Sequence, residues 1–162
     1  MEQLRLDLDI DSEWERIDDV REAVASCVVA AFGDVDMKHV LAMVTAELLE
    51  NAVKYGRPNR GVALSLRGDA HELTVTVSNA VEKGSHHAQQ LHDRLRWLRG
   101  FKEPFEAYTA ALQQVYERTI PDADDFGLGL ARIYYEGKCQ IDCDVSHPER
   151  LSVSARLRGQ AA

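Results

Sequence analysis

Glu47, Asn51 and Lys54 recur at i, i+4 and i+7. They lie in the stretch Ala46-Glu47-Leu48-Leu49-Glu50-Asn51-Ala52-Val53-Lys54-Tyr55-Gly56. On a helix such residues stack over each other along one face. An acid, an amide and an amine in one column can supply a base, a metal ligand and a phosphate contact. Taken alone, the column is more often a solvated face with a Glu50–Lys54 pair. A second candidate is Gly127-Leu128-Gly129-Leu130. Two glycines let a backbone approach a ligand closely, and the first-turn amides of a following helix are anion donors. A lone G-x-G is more often just a tight loop. The neighbouring Asp122, Asp124 and Asp125 would repel a phosphate unless a divalent cation lay between; singly, each reads as a solvated loop residue.

Other groups carry less. His86, His87 and His92 cluster without a spacing that enforces a metal site. Cys139 and Cys143 lie four apart near His147, a poor zinc spacing, and read as buried free thiols on one strand face. Ser85 and Thr119 have no base spaced to activate them. Trp97, Phe101, Phe105, Tyr108 and Tyr116 are core candidates, or in part a partner surface.

The elements that must position these residues follow from periodicity. Gln3–Ile10 alternates as a half-buried strand. Ser12 with Glu15 forms a capping box before a helix that runs to Phe32 and ends at Gly33. Asp34 or Asp36 opens a second helix carrying the column. Its apolar stripe is Leu41, Val44, Leu48, Ala52 and Val53. Gly56 suits a left-handed cap, and Pro58 prevents continuation. Gly61–Arg67 and Leu73–Val77 form a hairpin. Ser78 to Ser85 reads as a loop. Helices follow over Ala88–Leu98 and from Pro104, the latter with Phe105, Tyr108, Leu112, Val115 and Tyr116. The stretch 119–125 is acidic and aperiodic. A glycine loop then enters a short helix ended by Gly137. Strands over Cys139–Cys143 and Leu151–Leu157 close the chain. The order β-α-α-β-β-α-α-α-β-β excludes strict β-α alternation. It predicts an α+β, two-layer α/β sandwich, with a mixed or mostly antiparallel sheet covered on one face by helices.

At 162 residues the chain has room for one domain with a real core. The net charge of −8 argues against a general nucleic-acid binder, since phosphate backbones select basic surfaces. It does not argue against a nucleotide. Three cysteines make no even disulfide framework, and no stretch reaches the length of a membrane span. With no basic, apolar leader at the start, the expected setting is cytoplasmic and away from membranes.

Taken together and in this order, the motifs resemble the gyrase-type, histidine-kinase-type and heat-shock-chaperone ATPases (the GHKL superfamily), whose nucleotide site is called the Bergerat fold. The resemblance spans nearly the whole chain, as a single histidine-kinase-like ATPase domain over 1–162. Size and the opening strand and helix are most similar to the anti-sigma-factor serine kinases and, among these, to the SiaB-like relatives. The resemblance implies ATP and Mg2+ as cofactors. Glu47 then matches the general base, Asn51 the magnesium ligand and Lys54 a basic position near the phosphates. Gly127, Leu128, Gly129 and Leu130 match the second glycine box. It also implies a protein partner, a STAS-domain antagonist or a sigma factor, phosphorylated or sequestered, and it admits a homodimer. A non-catalytic binding module is the alternative. One box departs from the family: where Asp-x-Gly-x-Gly is expected, the chain has Asn79-Ala80-Val81-Glu82-Lys83-Gly84. Asn79 takes the place of the adenine-reading Asp, and only Gly84 remains. An Asn oxygen can still accept from the adenine amine. Losing one good polar contact in a buried site costs roughly 1–3 kcal/mol.

Overall fold

Alternation makes the strands, and the computed structural model shows where each run stops. It describes residues 3–10, 16–56, 60–82, 86–117, 126–147 and 149–159; for Phe126, Gly127, Ser146 and His147 the description covers the backbone alone. The predicted capping box at Ser12 and Glu15, the stretch 119–125, and Gly84 lie outside these residues.

Among the described residues five strands, β1 (Leu4–Ile10), β2 (Val62–Gly68), β3 (Glu72–Ala80), β4 (Gln140–His147) and β5 (Arg150–Arg158), form one sheet in the order β1-β2-β3-β5-β4. Every pairing is antiparallel, so the sheet contains no parallel pair. The helices described, α1 (Arg16–Phe32), α2 (Val35–Tyr55), α3 (His87–Arg99), α4 (Pro104–Glu117) and α5 (Phe126–Tyr135), complete the expected α+β, two-layer sandwich. The core lies between the layers. Val62, Leu64 and Leu66 of β2 and Leu73, Val75 and Val77 of β3 meet Leu41, Val44 and Leu48 of α2 there. The opposite sheet face is polar, with Thr76 and Ser78 bonded across to Ser154 and Ser152.

Several expectations are corrected. Strand β3 does not end at Val77. Its period-two inward series continues through Asn79 to Val81, so Ser78 and Asn79 are strand residues, paired with β2 and β5. The glycines of Gly127-Leu128-Gly129 are not a loop before a helix but part of the first turn of α5 itself. Gly56 is not left-handed: its φ is −79° and ψ 170°. It is glycine because a Cβ there would lie 2.5 Å from the Ala52 carbonyl oxygen and 2.8 Å from Asn79 Nδ2. Gly33 does cap α1 with φ +65°. Asp34 rather than Asp36 caps α2, accepting from the Met37 amide at 2.9 Å. Helix α4 buries small Ala107 and Ala111 and packs Tyr108 partly against the core, while Phe105 and Tyr116 are exposed.

Candidate functional site

Helix α2 is the floor of the site. Its core stripe seats it on the sheet, which leaves Glu47, Glu50, Asn51 and Lys54 along one flank. They line a cavity of about 500 Å³ closed by Tyr108 and Val115 of α4, by Leu128, Gly129 and Arg132 of α5, and by Glu136 just beyond it. The face of α5 that carries residues 128, 129, 132 and 136 follows helical spacing. Leu130 points the other way and is fully buried in the core, so it is not a cavity residue. Gly127 lies in the first turn of α5.

The Glu50–Lys54 pair of a plain solvated face is not formed; among the described residues neither side chain has an ion pair. Lys54 instead places Nζ 5.2 Å from the Tyr55 ring centre. The Asn51 side chain makes no hydrogen bond among the described residues. Glu47 packs against bare backbone: a Cβ at Gly129 would sit 2.5 Å from its Oε2. Its other oxygen, Oε1, accepts from Arg132 Nη1 at 3.2 Å, while Arg132 Nε donates to Glu136 Oε2 at 2.9 Å. Burial pushes the Glu47 carboxyl above the usual carboxylate range; Glu50 adds to this, and Arg132 opposes it. The Arg132 side chain is 46% exposed against 17% for Glu47. Solvent therefore screens the pair, which contributes under about 1 kcal/mol.

Asn51 has a second neighbourhood. With Leu48, Ala52, Tyr55, Val77, Asn79, Leu91, Leu151 and Val153 it lines an apolar slot of about 20 Å³. That is room for roughly one water. Asn79 is 5% exposed and sits between Val62 and Leu151 across the strands. Its Nδ2 donates to the Ala80 carbonyl at 3.3 Å. Its Oδ1 accepts no bond among the described residues and is left as the acceptor the slot can use. The predicted Glu47, Asn51, Lys54, Leu128 and Gly129 thus meet at one cavity, and Asn79 joins them through Asn51.

Burial pushes the Cys139 thiol up to about 12 and the Cys143 thiol up to about 11. Cys143 Sγ lies 3.2 Å from His92 Nδ1, and no metal-binding group of His, Cys, Asp and Glu occurs among the described residues. No helix among them is long and apolar enough to cross a membrane.

Sequence reasoning missed Arg132 and Glu136. Their i, i+4 spacing signals a helix pair. The contact of Arg132 with Glu47, 85 residues away, has no local signature. Neither a family model nor a curated protein matches the chain.

Proposed function

We propose that this chain is an ATP- and Mg2+-binding regulatory protein of the anti-sigma-factor serine-kinase type. It would phosphorylate or sequester a partner protein, a STAS-domain antagonist or a sigma factor, in the cytoplasm. The observation that carries this is the shared wall: Asn51 lines both the polar cavity of Glu47, Lys54 and Gly129 and the slot of Asn79. A nucleotide has the same two-ended chemistry.

The donor set suits the group. The cavity wall holds three carboxylates, Glu47, Glu50 and Glu136, against two cations, Lys54 and Arg132. A polyphosphate enters such a wall best with a divalent cation between. Asn51 offers the amide oxygen for that cation, which takes few protein ligands. Lys54 and the first-turn amides of α5 offer positive charge to phosphate oxygens. Asn79 Oδ1 offers an acceptor to an exocyclic amine. Bound ATP would supply the transferable phosphoryl group. Glu47, made a stronger base by burial, would in its carboxylate form accept the proton of a partner Ser or Thr hydroxyl.

The size of the slot favours a second reading, a binding module whose base pocket stays shut and which acts by sequestration alone. Calorimetry with ATP and Mg2+ separates the two. The first reading expects binding that Asn51→Ala abolishes and Glu47→Ala retains while losing transfer to the partner. Heat that is absent from wild type, or unchanged in Asn51→Ala, rejects it.

A further inference from the structure

We propose that Arg132 is an anion-responsive latch on Glu47: a phosphate-bearing ligand in the cavity takes over the guanidinium and releases the carboxylate. The inference rests on the reading that this cavity accepts phosphate groups, and it adds how the site would respond to them.

The geometry is that of a shared cation. Arg132 bridges two carboxylates, Glu47 at 3.2 Å and Glu136 at 2.9 Å. The guanidinium has five N–H donors in a planar fork, and these two contacts use only part of it. Glu136 holds Nε and so fixes where the fork points. The Nη1 end, toward Glu47, opens into the 500 Å³ cavity that both residues line. The other ionisable groups on that wall are the Glu50 carboxylate and the Lys54 ammonium on α2 and the Tyr108 phenol on α4. An arriving phosphate meets two cations, Lys54 and Arg132, of which Arg132 is the one paired with Glu47. Phosphate oxygens bind guanidinium in the same forked manner as carboxylate and carry more charge. Each contact is a single bond, but the Glu47 one is longer, 3.2 Å against 2.9 Å, and joins two helices, whereas the Glu136 one is local, i to i+4. Exchange therefore takes place at the Glu47 end. It leaves Glu47 without its donor, against the bare backbone of Gly129, and available to accept a proton.

The test is calorimetric and needs no turnover. Inorganic tripolyphosphate is titrated into wild type, Arg132→Gln, Glu47→Gln, Glu50→Gln, and the Glu47→Gln and Glu50→Gln changes each combined with Arg132→Gln. The latch predicts at least about tenfold weaker binding in Arg132→Gln, the effect of one charge-assisted bond. It predicts tighter binding, by about three- to tenfold, in Glu47→Gln, where the competitor for Arg132 is gone. That gain must vanish in the Arg132→Gln background, whereas any gain from Glu50→Gln, which has no ion pair, must persist there. Equal gains from Glu47→Gln in both backgrounds, or unchanged affinity in Arg132→Gln, overturn the latch. So does a failure of tripolyphosphate to bind any variant. A parallel titration with ATP and Mg2+ separates the two claims. If tripolyphosphate follows the predicted pattern and ATP binds no better, the latch stands and the nucleotide reading falls.

Discussion

Glu47 and Gly129 set the tolerance of the cavity wall at the level of single atoms. A Cβ on Gly129 meets the end of a flexible side chain, not backbone, so the carboxylate would move and the helix would stay. Alanine is favoured over glycine in a helix by about 0.5–1 kcal/mol. Gly129→Ala is therefore expected to change stability by less than about 1 kcal/mol in urea denaturation while breaking the Glu47–Arg132 contact. Glu47 also makes a prediction for pH. Its carboxyl is raised above the ordinary 4.5, so the folded state holds its proton more tightly than the unfolded chain. Stability is then fully present below 4.5 and falls as pH rises through the raised value. Glu47→Gln should be more stable than wild type at pH 7, with the gap closing on acidification, as read from denaturation midpoints. A gap that widens toward acid contradicts this. Glu47, Asn51 and Lys54 were legible in the sequence because one helix fixes their spacing. Arg132 was not, because packing of α5 on α2 brings it to Glu47.

At the level of elements, the strands and helices were legible wherever a period ran on. Misreadings fell at the ends, where a polar residue continued the period. Asn79 occupies the inward place after Leu73, Val75 and Val77, and its polarity hid the strand. It is tolerated there because its Nδ2 has the Ala80 carbonyl and its Oδ1 has the slot. Gly56 was legible as necessary, but for a different reason than its helix-end position suggested. A left-handed cap would tolerate Asn nearly as well as Gly. Crowding by the Ala52 carbonyl and Asn79 tolerates neither Asn nor Ala. Gly56→Ala and Gly56→Asn should each cost about 1–3 kcal/mol, the range for overpacking a tight site. Recovery of wild-type stability in Gly56→Asn would show that conformation, not space, decides.

For the whole molecule, element order was enough to place helices on one face of an antiparallel sheet. It could not give volumes. Those come from how α3 settles on the sheet, where buried Leu91 forms part of the wall of the slot beside Asn79. Leu91→Ala should cost about 2–5 kcal/mol, as a buried large-to-small change does. If the slot receives a base, the same variant should bind ATP with Mg2+ more tightly relative to tripolyphosphate. An unchanged ratio would mean that the slot takes no part. The central claim is that cavity and slot are two ends of one nucleotide site joined at Asn51. An amide NMR titration with ATP and Mg2+ tests it most directly. The side-chain amides of Asn51 and Asn79 and the backbone amides of Leu128 and Gly129 should shift together along one binding curve. An Asn79 signal that stays fixed while the others move, or no movement at any of them, would contradict it.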